Sequence, residues 1–366
     1  MTEFTIIGGG LAALSTAWAA LRNNHAVTLC WIPRAGAASS AAAGMLSPLA
    51  EADTAEPPLI ELALRSCSAY PYWIEDIERA SGLSCAYRPT GTIIAALSRD
   101  HMADLHRLAA FHQQHELTTQ WLSRKELFDR EPNIATRQVG GILAPDDHSV
   151  NPRALHRALY KALEINSAVR LIPAQNITLH TQNNQVEEVV VHHQSEHIRL
   201  KSSHVILCDG AWKSCAPEML QSLPLRPVKG QYLIAKGMDL IQHTMRSPDV
   251  YLVPRDDGQT YIGASMEEEG FNENHTAGAQ LDLLYHGWQL FRGIYELDVL
   301  EHGFGFRPAL RDHQPAIGPT PIEGLFLNTG HFRHGIMLAP LASELCVQFL
   351  QQPAMESPFT PLRFWS

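Results

Sequence analysis

Three small residues near the start of the chain, Gly8, Gly10 and Ala13, have the types and spacing needed to bind a phosphate group. They follow the apolar run 4–7 and open an alanine-rich stretch to Leu21, which predicts a strand, a tight turn and a helix. Gly8 permits the turn, and Gly10 lets a pyrophosphate approach the amides at the helix N-terminus, where the helix dipole favours negative charge. The pattern indicates a dinucleotide-binding turn, with an ordinary glycine-rich turn as the alternative.

The residue that follows the second predicted strand, 26–30, departs from the usual dinucleotide site. An acidic side chain is common there because it accepts hydrogen bonds from ribose hydroxyls, whereas this chain has Trp31. Either main chain, water or a nearby residue such as Arg34 holds the ribose, or the cofactor site is altered or lost. The later turns suited to a cofactor favour the first interpretation.

Two further segments have compositions suited to a ligand. The stretch 36–49 is rich in alanine and serine, and small side chains let a flat ring or a phosphate lie against the backbone. The start of an alanine-rich helix is the alternative for this stretch. The apolar strand 205–208 ends just before Gly210, and a glycine at that place suggests close approach of the backbone to a ligand.

His192, His193 and His197 raise the question of a metal site. Histidines four residues apart share a face on a helix, but this segment has strand character. It also lacks an acidic or cysteine ligand at a familiar spacing. We therefore interpret it as a solvated hairpin turn and predict no metal site.

Composition limits the function classes. A chain of 366 residues suits two domains, and a formal charge of −10 argues against a nucleic acid or an anionic membrane as partner. Six cysteines lie scattered without a C-x-x-C pair, which predicts buried free thiols in a reducing compartment. With no basic signal-peptide start and no long apolar run, the sequence predicts a cytoplasmic protein.

The predicted elements alternate between strands and helices, which indicates a mixed α/β fold. Asn151 and Pro152 are suited to cap and start a helix that continues to about 163. Strands are predicted near 85–97, within 167–208 as a hairpin of 185–192 and 197–200, and at 325–328. The strand-rich segment 223–305 indicates a mostly antiparallel sheet. The other helices are predicted at 55–80, 99–116, 124–131, 277–292 and from the turn 329–335 to about 350.

Short motifs along nearly the whole chain resemble those of the D-amino-acid-oxidase-type FAD-dependent flavoproteins, and within them the glycine oxidases of thiamine biosynthesis. The matching segments are 6–10, 40–46 with Glu51 after it, 150–152, 227–230, 251–255, 263–266, 306–308 and 330–340. The resemblance implies a Rossmann-like FAD-binding domain formed by 1–80, 141–222 and 306–366. It also implies a substrate-binding domain with a mostly antiparallel sheet, formed by 81–140 and 223–305.

The same resemblance implies that FAD is bound non-covalently. The residues it assigns to the cofactor are Gly8, Gly10, Leu11, Ala12, Trp31, Arg34, Ser40, Ala42, Ala43, Gly44, Met45, Gln175 through its backbone, Gly210, Trp212, Arg333, His334, Gly335, Ile336 and Met337. His334 departs from the family pattern, which has asparagine at this position.

The resemblance also implies the substrate site. Arg307 matches a carboxylate-binding arginine and Tyr251 its tyrosine partner. Arg333 matches an arginine whose backbone carbonyl faces the substrate amine, and Met266 matches a pocket residue that is often lysine in sarcosine-oxidase relatives. An arginine fork can hold a carboxylate by two parallel charge-assisted bonds. The alternatives are a surface ion pair of Arg307 with Asp312 and a half-buried core aromatic at Tyr251.

These matches imply the oxidation of glycine, sarcosine or a small D-amino acid by hydride transfer to flavin N5. The imine hydrolyses to a 2-oxo acid and ammonia, or feeds thiazole synthesis, and oxygen becomes hydrogen peroxide. A neutral amine can give hydride without a general base, so His331 and His334 are assigned no such role. A dehydrogenase with another electron acceptor, and a fold that lost its cofactor and binds a partner, are the alternatives. The resemblance further implies a homo-oligomer, a tetramer or a dimer.

Overall fold

The structure, a computed structural model, describes residues 3–51, 57–135, 137–237 and 241–365. Its strands are β1 Glu3–Ile7, β2 Ala26–Trp31, β3 Met45–Leu46, β4 Tyr87–Arg88, β5 Thr92–Ala96, β6 Gln120–Ser123, β7 Gly140–Ala144, β8 His148–Val150, β9 Val169–Pro173, β10 Asn176–Gln182, β11 Gln185–His193, β12 Glu196–Leu200, β13 Val205–Leu207, β14 Arg226–Lys236, β15 Thr244–Arg246, β16 Tyr251–Pro254, β17 Gln259–Gly263, β18 Asp298–Ala309, β19 Ala316–Pro319 and β20 Leu325–Thr329. Its α-helices are α1 Leu11–Arg22, α2 Ala38–Ala41, α3 Pro57–Ser81, α4 Arg99–Gln114, α5 Arg124–Arg130, α6 Pro152–Glu164, α7 Glu218–Gln221, α8 Ala277–Leu290 and α9 Gly335–Gln351.

The first large sheet confirms the predicted βαβ start. Its strand order is β19-β20-β13-β1-β2-β9, and every pair is parallel except β19 with β20. The apolar faces of α1, α3, α6 and α9 pack together in its main core. Helix α6 begins as predicted, since the Asn151 side chain accepts hydrogen bonds from the amides of Arg153 and Ala154, with Pro152 at the first helical position.

The second large sheet confirms the predicted, mostly antiparallel architecture. Its order is β18-β14-β17-β16-β15-β5-β7-β6, and only the pairing of β15 with β5 is parallel among these strands. The mixed α/β fold class is therefore confirmed. The division into two domains remains a prediction, and β7 and β18 each run across one of its boundaries.

Some predicted elements differ in detail. The strand expected near 85–97 is interrupted at Gly91, whose φ of +81° turns the chain between β4, in a small sheet with β3 and β8, and β5, in the second large sheet. Helix α3 begins at Pro57, and residues 55 and 56 of the prediction lie outside the described residues.

The predicted hairpin is formed by β11 and β12, with His192 opposite His197 and their ring centroids 4.2 Å apart. No group of three or more potential ligands suited to a metal ion occurs among the residues whose placement is described. All six cysteines are free thiols, and all but Cys67 are buried. No helix in the described ranges is long and apolar enough to cross a membrane.

Candidate active site

A cavity of about 510 Å³ lies where turns of the first large sheet meet strands of the second. Many of the residues predicted to bind cofactor or substrate line it. They are Gly10, Leu11, Ala12, Trp31, Arg34, Ala42, Ala43, Gly44, Met45, Gly210, Trp212, Tyr251, Met266, Arg307, Arg333, Gly335 and Ile336.

Five other predicted residues lie behind the cavity wall or away from it. Gly8 packs against Cys208, the residue after β13, so closely that a Cβ would lie 2.4 Å from the Cys208 carbonyl oxygen. Met337 is buried in the first turn of α9, and His334 is buried just before that helix. Gln175 is exposed, and its backbone amide donates to the His192 carbonyl.

The remaining one, Ser40, is also exposed, and its hydroxyl donates to the Ala37 carbonyl. The serine that reaches the cofactor turn is its neighbour Ser39, whose hydroxyl accepts a hydrogen bond from the Leu11 amide at 2.8 Å. Sequence reasoning missed Ser39, because two adjacent serines give no signal of which one faces inward.

The N-terminus of α1 fits a phosphate group. Gly10 caps the helix in an extended conformation without a side-chain hydrogen bond. A Cβ at Gly10 would lie 3.0 Å from the Ser39 hydroxyl, so the glycine permits the close approach by which Ser39 bonds the Leu11 amide. These amides and the helix dipole favour an anion at this end of the cavity.

Near the predicted ribose position, two aromatic side chains and Arg34 form the cavity wall. The Trp31 ring lies against Gly9, where a Cβ would come within 2.7 Å of it. The Arg34 guanidinium lies 5.7 Å from the Trp212 ring centroid, and its Nη2 donates to the Ser214 hydroxyl at 2.6 Å. Arg34, the proposed alternative to an acidic ribose ligand, is thus held at the wall of the cavity.

The small-residue stretch combines both predicted conformations: the short helix α2 is followed by extended chain into β3. The Tyr261 hydroxyl donates to the Ala41 carbonyl at 2.7 Å, and Arg255 Nη2 donates to the Ala42 carbonyl at 3.2 Å. Gly44 has φ +89°, and a Cβ there would lie 1.9 Å from the Val150 carbonyl oxygen. The stretch is therefore tied to the second sheet and presents small side chains to the cavity.

Arg307, on β18, is anchored by main-chain carbonyls. Its Nη1 donates to the Ser265 carbonyl at 3.1 Å and, more weakly, to the Lys229 carbonyl at 3.4 Å. The guanidinium lies directly over Gly230, where a Cβ would come within 2.5 Å of both Nη atoms. The ion pair with Asp312 that was the alternative is not formed, since Asp312 pairs with Arg363 at 2.7 Å.

Tyr251 stands beside Arg307 on the same wall. Its ring stacks on Tyr261 with centroids 6.1 Å apart, and Gly263 leaves the space that this ring fills. Burial raises the pKa of Tyr251, and the charge of Arg307 opposes that effect only in part. The phenol is therefore neutral at neutral pH and can donate a hydrogen bond.

A largely buried ion pair at the cavity was not predicted from the sequence. Glu51 forms a 2.6 Å ion pair with Arg246 of β15, and both residues line the cavity. His334 Nδ1 lies 3.5 Å from Glu51, a long contact that is electrostatic rather than a well-formed hydrogen bond. Burial would raise the pKa of Glu51, but His334 and the charges of Arg246 and Arg333 hold it well below its usual range. Glu51 had been noticed only as part of a motif, and its partner lies far along the chain.

The glycine-rich turn before α9 brings a histidine to the cavity. His331 Nε2 lies 2.9 Å from Asn328 Oδ1, and Asn328 Nδ2 donates to the Thr16 hydroxyl at 2.8 Å. Burial and the neighbouring His334 lower the pKa of His331 to about 4. The imidazole is therefore neutral at neutral pH and adds no charge to the cofactor end of the site.

Comparisons with known proteins agree with this geometry. A family profile described as "FAD dependent oxidoreductase" matches residues 3–349. The chain is 33% identical over 353 residues to the bifunctional protein ThiO/ThiG of Trichormus variabilis, covering 95% of this chain and 52% of that protein. It is 27% identical to the glycine oxidase of Geobacillus kaustophilus, covering 96% of this chain and 93% of the relative. The chain thus spans about half the length of the first relatives it matches, such as those in Trichormus variabilis and Synechocystis.

Solved structures give the same result for the fold. The glycine oxidase of Geobacillus kaustophilus superposes with a TM-score of 0.88 at 26% identity and covers 99% of each chain. The iminodiacetate oxidase of Chelativorans sp. BNC1 superposes with a TM-score of 0.87 at 24% identity and covers 98% of both chains. The cavity, its helix N-termini and its small-residue wall fit an elongated dinucleotide, and the resemblance stated from the sequence is confirmed. The chain belongs to the D-amino-acid-oxidase family of FAD-dependent oxidoreductases, and its cofactor is FAD.

Proposed function

We propose that the protein oxidises glycine, or a similarly small amino acid such as sarcosine or a small D-amino acid, with oxygen as the electron acceptor. The observation that carries this proposal is the pairing of Arg307 with Tyr251 on one wall of the FAD cavity. The names of the glycine oxidase relatives support the substrate class.

The substrate carboxylate binds to Arg307. Because Nη1 is anchored on the Ser265 and Lys229 carbonyls, the guanidinium has a fixed orientation before substrate arrives. Its other N–H groups can donate two parallel hydrogen bonds to a carboxylate, and the neutral Tyr251 hydroxyl adds a third. This arrangement fixes the position of the substrate α-carbon relative to the cavity wall.

The reaction requires little proton chemistry from the protein. FAD, when bound in the cavity, would supply the acceptor for the hydride of the α C–H bond, which is chemistry that no side chain supplies. The amine must be neutral, and the Arg333 carbonyl is the group proposed to hold it. His331, with a pKa of about 4, is not protonated at neutral pH and therefore gives no proton to the substrate. The imine that leaves hydrolyses to the 2-oxo acid and ammonia, or serves thiazole formation in thiamine biosynthesis.

Met266 is proposed to limit substrate charge and size at the open end of the cavity. Its side chain lines the cavity and is 68% exposed. An apolar, flexible side chain at this place provides no ion pair for a charged substrate side chain. Glycine and other small neutral amino acids fit this apolar end of the cavity best.

The test is a visible absorption spectrum of the purified protein, taken before and after anaerobic addition of glycine. We expect flavin bands near roughly 375 and 450 nm, which bleach with glycine and return with oxygen as hydrogen peroxide forms. Bands that neither glycine, sarcosine nor D-alanine bleaches would refute the substrate proposal. A flavin that glycine bleaches but that oxygen does not reoxidise would instead identify a dehydrogenase.

A further inference from the structure

A buried pair of opposite charges lies directly behind the arginine proposed to bind substrate. The Lys229 side chain is fully buried, and its Nζ lies 3.1 Å from Glu267 Oε2 and 2.6 Å from the Asn274 carbonyl oxygen. Glu267 is also largely buried, with 18% of its side chain exposed. A buried ammonium is costly unless it is paired, so this lysine depends on Glu267.

The pair joins two parts of the second sheet. The backbones of Lys229 and Glu267 exchange two hydrogen bonds of 2.9 Å, which connect β14 to segment 264–276 between β17 and α8. The Glu267 carboxylate also accepts hydrogen bonds from the Ser265 hydroxyl and from Gln231 Nε2. The burial of Lys229 therefore fixes where this segment lies over the cavity.

Both carbonyls that anchor Arg307 belong to this assembly. Arg307 Nη1 donates to the carbonyls of Ser265 and Lys229, and the side chains of both residues contact the Glu267 carboxylate. The Ser265 carbonyl is two residues from Glu267, whose carboxylate holds the Ser265 side chain. The orientation of the guanidinium is thus linked to a charge pair whose two residues do not line the cavity.

We propose that Lys229 and Glu267 are positioning residues that set the orientation of Arg307 and, through it, the affinity for substrate carboxylate. This inference rests on the proposed role of Arg307. A pair that served stability alone would lower the melting temperature when broken and would leave carboxylate affinity unchanged.

The experiment uses the FAD-loaded protein and glycolate, which keeps the carboxylate of glycine and replaces its amine by a hydroxyl. Binding is followed by the change in flavin absorbance. Glu267→Gln removes the charge with little change of shape. We expect it to raise the Kd for glycolate and the KM for glycine by about tenfold, with a smaller effect on kcat. The matched control is Glu268→Gln, which removes the same charge one residue away, where Glu268 pairs with Arg226 at the surface.

Two further variants make the test independent of folding. The double variant Lys229→Met with Glu267→Gln leaves neither the ion pair nor an unpaired buried charge, and its Kd should stay about tenfold above that of the wild type. A wild-type Kd would overturn the positioning role, because Glu267→Gln would then act only through an unpaired buried lysine. Ser265→Ala keeps the anchoring carbonyl, removes the hydroxyl that donates to Glu267 and accepts from the Gln231 amide, and should raise the Kd by about threefold.

The outcomes separate this inference from the proposed function. A Kd for Glu267→Gln within twofold of that for Glu268→Gln would overturn the positioning role, whatever its melting temperature. A wild-type protein that binds glycolate but is not reduced by glycine, sarcosine or D-alanine would overturn the proposed substrate class, and the ratio of glycolate Kd values would still decide the positioning role. A wild-type protein that binds no small carboxylate would overturn both.

Discussion

Removing the Arg307 guanidinium should nearly abolish reduction by glycine while leaving FAD bound. In Arg307→Ala the cavity loses the fork whose Nη1 is anchored on Ser265 and Lys229, but the cofactor turns at α1 and α9 are untouched. Each hydrogen bond to a charged partner contributes about 1.5–3 kcal/mol. Two such bonds to the carboxylate therefore correspond to about 3–6 kcal/mol, or roughly a 10²- to 10⁴-fold loss in kcat/KM.

Arg307→Lys tests whether the fork or only the charge is needed. A lysine ammonium is a point charge and cannot reproduce two parallel bonds while also reaching the Ser265 carbonyl. We expect about half of the free-energy loss of the alanine variant, which corresponds to roughly a 10- to 100-fold decrease in kcat/KM.

The assay is the rate of anaerobic flavin bleaching near 450 nm at glycine concentrations below KM, measured by stopped flow (a general flavin position, about this value). The control is Arg311→Ala, an exposed arginine four residues further along the chain. Bleaching of Arg307→Ala within about threefold of the Arg311→Ala rate would show that Arg307 does not bind the substrate.

Three other changes test other parts of the site. Gly230→Ala places a Cβ 2.5 Å from the Arg307 Nη atoms, so the Kd for glycolate should rise by about ten- to a hundredfold. The control is Gly278→Ala, whose Cβ meets nothing within 4 Å and which should leave the Kd unchanged. Trp31→Ala removes an aromatic part of the cavity wall and should weaken FAD binding by about tenfold, measured by titrating the apoprotein and following flavin fluorescence. Burial holds the pKa of His331 at about 4, below its ordinary 6.5. The neutral imidazole therefore contributes fully to the free energy of unfolding above pH 6.5, and this contribution is lost as the pH falls toward 4. His331→Gln should therefore reduce the loss of unfolding free energy between pH 7 and 5 by roughly 2 kcal/mol in urea titrations.

Each of these has a contradicting result. A Gly230→Ala protein with unchanged Kd would mean that the guanidinium has room to move aside without loss of its orientation. Unchanged or tighter FAD binding by Trp31→Ala would mean that the indole does not contact the cofactor. An acid dependence of His331→Gln equal to that of the wild type would mean that other groups dominate it.

Local signals in the sequence predicted the elements that surround the cofactor. The glycine turn before α1 and the Asn151-Pro152 start of α6 each depend on a few adjacent residues, so their conformations can be inferred without the rest of the chain. The prediction of the second sheet depended on several strands that follow one another within 223–305, and each strand is also a local feature of the sequence.

The contacts that orient side chains were not predictable in this way. Glu51 meets Arg246 across 195 residues of chain, and the Lys229–Glu267 pair requires that β14 lie beside segment 264–276. Nothing in either neighbourhood shows that the charge will be buried or which partner will neutralise it. The choice between Ser39 and Ser40 also depends on a distant contact. Ser39 bonds the Leu11 amide at the start of α1, whereas Ser40 bonds the Ala37 carbonyl, and the two adjacent serines look alike in the sequence.

The order of strands in the first sheet determines when the cofactor site can form during synthesis. Strand β1 lies between β2 and β13, and β13 in turn pairs with β20, so Thr5, Val205 and Leu325 lie in adjacent strands. The far wall of the cavity, at Ile336, is made about 330 residues after the glycine turn. At roughly 5–20 residues per second this delay is about 15 to 65 s. During that time α1 has no α9 to cover its apolar face, so FAD can stabilise the fold only after α9 has been made.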